Sequence, residues 1–449
     1  MNHGSIHDYL DRLSQKVFSK LQGNEAISLN LSGEDQTYVR WNGSLVRQIT
    51  GVEQYRLGMS LQSGPRRVSF QIDLTQHLEQ DVLLAETLLE RGREEFKSLP
   101  EDPFVTPLIK GLGQLDRHEG NLPDLDQWIE AIRSDVDNLD FAGLLAAGTQ
   151  VRAFRNSEGL SQGFETESFF LDYSLYTKNA ASENKAVKGL YAGRNFDHEQ
   201  WRRSLAQSRS QLEVLKRPNR ILEPGEYRTY LSPSAVSALI QMFSWGAVSY
   251  GAYRRGDSAL RKLIEGQETL SPLFSLDEQF GLGLSPRFNS QGETAPEMTS
   301  VIERGAIKQL MTSSRSAKEY GVAENGADSG EGLRSPSVRA GSLNESEVLR
   351  ELGTGLYLGN LHYLNWSDLD SARITGMTRY ACFWVEDGAI VQPIKDMRFD
   401  ESLYRIFGSE LEELTRTRDI EIRTDTYHQR ALGGVEVPGA LIRNFKFTL

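Results

Sequence analysis

The dipeptide Asn42-Gly43 restricts this chain most. Asn-Gly between two strand-forming runs signals a two-residue type I′ turn, because both central residues must accept positive φ. Thr37–Trp41 precedes it and Ser44–Ile49 follows it, which predicts an antiparallel hairpin. Ala26–Leu31, Gln54–Leu61 and Arg67–Leu74 read as further strands, the last two joined by a turn at Ser63-Gly64-Pro65. Residues 5–22 carry apolar side chains at Ile6, Leu10, Leu13, Val17 and Leu21, one face of a helix. Thr75–Leu99 reads as a second amphipathic helix, stopped by Pro100 and Pro103. The first unit is therefore helix, antiparallel meander, helix.

A Pro- and Gly-rich connector covers 100–123. The same order of elements then returns: a helix at Leu125–Leu139, strands at Thr149–Arg155, Glu165–Lys178 and Lys185–Gly193, and a helix at Asp197–Leu215. Arg217–Glu226 is a linker with two prolines and a glycine. Beyond it, Leu231–Tyr250 reads as one buried helix with Ser232 as N-cap and Pro233 in the first turn. Short helices are expected at Ser258–Ile264, Glu345–Leu352 and Leu403–Leu414. Ile302–Leu310 and Phe383–Val391 each read as strand, Gly turn, strand. The expected class is α+β: N-terminal (1–103) and middle (104–222) α/β-layer domains, then a β-rich antiparallel C-terminal domain (223–449).

The longest apolar stretches are interrupted by charge or glycine well before the roughly 18 residues of a membrane span. No basic and then apolar leader is visible at MNHGSIHDYLDRL, and the one cysteine, Cys382, suits a reducing compartment. A cytoplasmic protein without membrane segments is expected. The net charge of −12 is spread along the chain and argues against nucleic acid as a ligand.

Several motifs invite a chemical reading. His3 and His7 have the i, i+4 spacing of two ligands on one helix face, but no glutamate stands between them as base. His118-Glu119 begins like HExxH, but Leu122 occupies the last position. His77, His198, His362 and His428 stand alone, so no zinc cluster is visible. Gly256-Asp257-Ser258-Ala259-Leu260 with Asp425-Thr426-Tyr427-His428 matches the pattern of a GDSL-type serine hydrolase, Ser258 as nucleophile and His428 as base. Its context fits a turn and helix cap better, because Arg254 and Arg255 precede it where an apolar strand belongs. Gly353-Thr354-Gly355…Gly359 lacks the Lys-Ser/Thr of a phosphate loop and reads as a turn into a strand. Cys382 should lie on one strand face with Tyr380 and Trp384, opposite Ala381 and Phe383, as a small hydrophobe.

An ordered set of segments resembles the TldD/PmbA family, in its PmbA (TldE-like) branch. Phe288–Thr294 is similar to that family's FDxEG segment, Val301–Lys308 to its LIENGVLK and Leu310–Ala317 to its YLTSRxSA. Phe383–Ile390 with Pro393-Ile394 resembles its xxxIENGEIxxPV, Arg155–Gly159 its NSxG, and Arg40–Leu45 its N-terminal hairpin. The resemblance implies a three-part architecture and a dimer. The TldD branch it points to is a metallopeptidase, with an HExxxH helix and a cysteine near the C-terminus as ligands. Its TldE-like partner lacks them, and the pair acts on extended or unfolded peptides.

Placed on this chain, the motif's first His falls near Gln241, its Glu near Met242 and its second His near Gly246; Tyr427–Leu441 contains no cysteine. Glutamine is a poor zinc ligand, and methionine cannot act as a general base. The resemblance thus implies a subunit without its own catalytic site or metal, zinc being held by a TldD-like partner. Peptide would add as a strand at an exposed edge of the third domain, with Arg315, Arg379 and Tyr380 as candidate contacts. A stand-alone peptide-binding or scaffold homodimer is the alternative without a peptidase role.

Overall fold

The hairpin forms one residue later than Asn-Gly predicts. In the computed structural model, which describes residues 4–448, β1 (Glu25–Asn42) enters the turn and β2 (Leu45–Ser63) leaves it. Asn42 pairs with Leu45, so the turn residues are Gly43 and Ser44, at φ 58° and 64°. Ser44 is drawn into this conformation by tertiary contacts. Its Oγ lies 2.8 and 2.6 Å from the carbonyl oxygens of Val136 and Leu139. The register slips once beyond Trp41, leaving Arg47 as the extra residue of a bulge.

The short runs merge into long strands. β3 (Arg66–Asp73) completes the meander, which lies between α1 (Gly4–Phe18) and α2 (Leu78–Phe96) in sequence. β4 (Leu115–His118) interrupts the connector. The second unit is α3 (Leu125–Val136), β5 (Phe141–Asn156), β6 (Ser161–Lys178), β7 (Asn184–Gly193) and α4 (His198–Leu215). Asp124 and Gln127 cap α3 reciprocally, and the Asp197 carboxylate accepts from the first amides of α4.

Both units share a single seven-stranded sheet. β1 pairs antiparallel with β5 from Ser28↔Asn156 to Asn42↔Ala142, giving the order β3-β2-β1-β5-β6-β4 with β7 also on β6. One sheet face is apolar. Leu29, Leu31, Leu57 and Met59 pack with α1 and α2, and Val39, Trp41, Phe169 and Leu171 with α3 and α4. Alternation puts Glu34, Gln36, Thr166 and Ser168 on the other face, where they are buried by loops of the C-terminal domain. Thr166 Oγ1 donates to Gly283 O, and Gln162 to Thr294 Oγ1. Arg430, 1% exposed, donates to Gln36 and to Ser168 O, its guanidinium 5.1 Å from the Phe170 ring.

The C-terminal domain begins with β8 (Gly225–Leu231) and α5 (Pro233–Met242). α6 (Tyr250–Arg255), α7 (Arg261–Ile264), β9 (Leu276–Gln279), β10 (Met298–Glu303), β11 (Ala306–Ile307), α8 (Ser314–Tyr320), β12 (Pro336–Val338) and α9 (Val348–Leu352) follow. The last part is nearly all strand: β13 (Gly355–Asp368), β14 (Arg373–Glu386), β15 (Ala389–Pro393), β16 (Arg398–Ser402), β17 (Leu411–Leu414), β18 (Asp419–Ile422), β19 (Gly434–Val437) and β20 (Ala440–Phe447). One sheet runs β11-β10-β9-β12-β19-β18, which leaves β18 on an edge. The other runs β13-β8-β20-β16-β14-β15, and β13 also pairs with β14, so it curls back on itself. β8–β13 and β12–β19 are parallel; the other ladders of these two sheets are antiparallel. The fold is α+β. Among the described residues no helix is long and apolar enough to cross a membrane.

Two expected helices are corrected. Leu231–Tyr250 is not one helix: Ser232 and Pro233 start it as expected, but it ends at Met242 in a wide turn through Ala247. Gly246 sits there at φ 86°, and Ser249 caps the new helix α6. Leu403–Leu414 breaks at Gly408 (φ −117°, ψ −106°) and finishes as β17. Both strand–Gly-turn–strand readings hold: Arg304-Gly305 and Asp387-Gly388 have positive φ at both turn residues, which lie between β10 and β11 and between β14 and β15. The loop before β12 carries Glu331, 3% exposed. Its carboxylate accepts from Ser249 Oγ and Gly251 N of α6 and from Ser313 N and Oγ at the start of α8, a brace between two helix N-termini.

Candidate functional site

Helix α5 is apolar on most of its surface. Val236, Leu239, Ile240 and Met242 are buried in the C-terminal core. The remaining stripe, Ser234, Ser237, Ala238 and Gln241, recurs at i, i+3, i+4 and i+7 and faces a cleft of about 220 Å³. The opposite wall is built by Asp172 of β6, Lys188 and Leu190 of β7, Asn360 of β13, and Glu421 to Asp425 in and after β18. The cleft thus lies at the seam between the shared sheet and the C-terminal domain.

Its charges are mixed, with Asp172, Glu421 and Asp425 facing Lys188 and Arg423. Lys188 Nζ stands 3.1 Å from Asp172 Oδ2. Ser234 Oγ donates to Glu421 Oε1 at 2.6 Å. Burial, reinforced by the nearby Asp419 carboxylate, pushes the Glu421 carboxyl up to about 7 despite that hydrogen bond. Burial also raises Asp172, against the pull of Lys188. A carboxyl poised near neutrality in a cleft can hold or release a proton and can bind an amine.

The three motif positions do not converge here. Gln241 is exposed and lines the cleft. Met242, 1% exposed, points into the core. Gly246 carries no side chain and has φ 86°. An amide, a buried thioether and a glycine do not make a zinc site, which takes three or four nitrogen, sulfur or carboxylate donors. Among the described residues no three His, Cys, Asp or Glu side chains are grouped as metal ligands. His3, half of the His3/His7 pair, lies outside the described residues; His7 Nε2 is 2.9 Å from Glu165 Oε1.

The candidate peptide contacts separate into two places. Arg379 pairs across the ladder with Asn360, which lines the α5 cleft where Arg379 itself does not, and its guanidinium lies 4.9 Å from the Tyr380 ring. Tyr380 takes φ 62° at an irregularity of β14 and so leaves the face expected for it. Cys382 and Trp384 do share one core, with Ala381 and Phe383 in another. Arg315 lies in a separate cleft of about 400 Å³, ion-paired to Asp102 and near the Phe104 ring.

The serine hydrolase reading is corrected. Ser258 is 3% exposed and its Oγ donates to Ala247 O while accepting from Leu260 N, a turn that consumes the hydroxyl. It does not cap α7 either, which starts after Leu260. His428 sits elsewhere, exposed at φ 64°, its carbonyl accepting from Gln54. Cys382 is buried and its thiol is pushed up to about 11 by desolvation, so it is no nucleophile.

Residues 224–449 match the family model described as the PmbA/TldA metallopeptidase C-terminal domain. The chain belongs to the TldD/PmbA family. Solved structures share the fold along the whole length. TldE from Thermococcus kodakarensis is 15% identical at a TM-score of 0.79, covering 98% of this chain and 99% of its own. A candidate modulator of DNA gyrase from Bacteroides thetaiotaomicron is 14% identical at 0.78, covering both chains fully. Another, from Thermotoga maritima, is 13% identical at 0.77, covering 99% of this chain and 100% of its own. At such identities the likeness shows the fold alone. No curated protein matches the sequence. The family match spans the α5 helix and β18, which face each other across the cleft. Glu421, Ser234, Asp172 and Lys188 were not visible as a site in the sequence; the polar stripe on α5 was the one available signal.

Proposed function

We propose that this member of the TldD/PmbA family is a TldE-type subunit of a TldD-like metallopeptidase system acting on extended or unfolded peptides, itself without a catalytic metal site. The observation that carries the reading is Met242. It occupies the motif's glutamate position and is packed inside the hydrophobic core at 1% exposure. A general base must reach water and a bound substrate. In this reading the partner supplies zinc and the hydrolytic chemistry, and this chain supplies an interface and part of the peptide cleft. The exposed edge of β18 beside the α5 cleft is where an extended peptide would add as a strand.

The test is reconstitution. The chain should co-purify with an HExxxH-bearing partner from its source, and peptide cleavage should require the mixture. Robust zinc-dependent proteolysis by this chain alone would overturn the proposal.

A further inference from the structure

A third cleft, of about 480 Å³, opens where α4 crosses the C-terminal domain. Its position is tied to the α5 cleft. Pro233 lines one and Ser234 the other, and β18 contributes Asp419 to one and Glu421 to the other. Residues two apart on a strand share a face, so the two clefts adjoin along the same edge.

The chemistry of this third cleft is unlike that of the other two. Tyr230 and Tyr357 lie in its wall with ring centroids 5.4 Å apart, and Val348 adds apolar surface. Glu345 and Asp419 supply two carboxylates, and no lysine or arginine lines the space. Arg416 acts on Glu345 from outside the lining. Glu345 has a structural role, accepting from Thr417 N. Asp419 has none of this kind: it lies at the exposed rim, its carboxylate makes no hydrogen bond or ion pair with any described residue, and partial desolvation with the Glu345 charge pushes its carboxyl up. Burial raises Tyr230 and Tyr357, and the Asp419 charge adds a smaller push in the same direction, so their hydroxyls stay protonated. The exposed Asp419 carboxylate is open to an incoming group, and Tyr230 and Tyr357 stand in the same wall. A seated cation gains from both, because aromatic rings and carboxylates attract the same charge and the apolar wall covers an aliphatic stem.

We propose that this cleft is a specificity pocket for a basic side chain, taking the methylenes and terminal ammonium or guanidinium of a lysine or arginine on a bound peptide. The choice of a peptide rests on the function proposed above; the preference for a cation rests on Asp419, Glu345 and the two tyrosines. Ligand anions are disfavoured by both carboxylates, and a neutral aliphatic group would leave Asp419 unpaired.

The experiment is calorimetric titration of the full chain with four probes: Nα-acetyl-lysine methylamide, its arginine and norleucine counterparts, and free 1,5-diaminopentane. The lysine and arginine probes should bind at least tenfold tighter than norleucine, which has the same stem without the charge. Asp419→Asn should remove that preference while the thermal midpoint is kept, and Tyr357→Leu should weaken the cationic probes further than norleucine. Equal binding of norleucine and lysine, unaltered lysine binding in Asp419→Asn, or no saturable binding of either cationic probe would each overturn the pocket. Tighter binding of the diamine than of blocked lysine would overturn the peptide assignment. Failure of the subunit reading shows separately, in co-purification, which these probes do not touch.

Discussion

Ser234 Oγ donates to Glu421 Oε1 at 2.6 Å, joining the polar stripe of α5 to the edge strand β18. The pair sits at the α5 cleft, and its strength depends on which protonation state Glu421 holds. The folded chain binds this proton more tightly than an unfolded one, since the carboxyl lies near 7 against an ordinary 4.5. Its favourable contribution is therefore complete below about pH 4.5 and is lost as pH rises through about 7. Glu421→Gln should flatten the stability profile across that window and raise stability at pH 8 by roughly 1–2 kcal/mol, allowing for solvent access to the cleft. Urea midpoints at pH 5 and pH 8 measure it; a variant with the parent's pH slope contradicts the assignment.

Writing the metallopeptidase motif back into the helix should fail. Met242→Glu buries a carboxylate among Val236, Ile240 and Phe243. The expected cost is about 3 kcal/mol or more. Gln241→His, Met242→Glu and Gly246→His together should lower the thermal midpoint without giving stoichiometric zinc in mass spectrometry. A stable, zinc-loaded triple variant would mean that the helix ends differently in solution.

Glu331 braces α6 against α8 through four donor groups. Burial works against its charged form, but the donors from Ser249, Ser313 and Gly251, helped by the nearby Ser316 hydroxyl, outweigh it, and the carboxyl ends below its ordinary range. This contribution has the opposite sign to that of Glu421: present above the unfolded value and lost as pH falls through the lowered folded one. Glu331→Gln should cost about 2–4 kcal/mol at pH 7, because an amide turns donors toward donors. The gap between variant and parent should shrink in acid, as denaturant titrations at pH 7 and pH 4 would reveal.

Ser44 offers a test of the hairpin register. Ser44→Ala keeps a positive φ without the oxygen that reaches Val136 and Leu139, for a loss of about 1–2 kcal/mol. Ser44→Gly should lose less, since glycine accepts φ 64° freely. If alanine and glycine were equal in chemical denaturation, the strain would not be there.

These residues also show where sequence reading ends. Asn42-Gly43 announced a hairpin, and local preference alone would place the turn on those two residues. The carbonyls at the end of α3, nearly a hundred residues away, pull it onto Gly43-Ser44. The apolar spacing after Ser232 announced a helix, but a residue that permits termination, Gly246, does not say that termination occurs. Leu403–Leu414 has helical spacing, and its second half is claimed by β20 instead. The polar stripe on α5 is what the apolar spacing leaves over, and nothing in that spacing marks it as a site. Its partners Asp172, Lys188 and Glu421 come from strands that only the tertiary fold brings within reach. The family segments in the last domain were legible because they centre on turns or, at Ser313, a helix cap, whose chemistry is local.

The pairing of β1 with β5 bears on how the molecule breaks. Neither helix–strands–helix unit presents a finished boundary on that side; separated, each would expose a long row of unpaired amides and carbonyls. A nick in the Pro- and Gly-rich connector should therefore leave two fragments that elute together and part only on denaturation. Fragment complementation, with 1–103 and 104–449 made separately and mixed, should restore one cooperative unfolding transition where either piece alone aggregates.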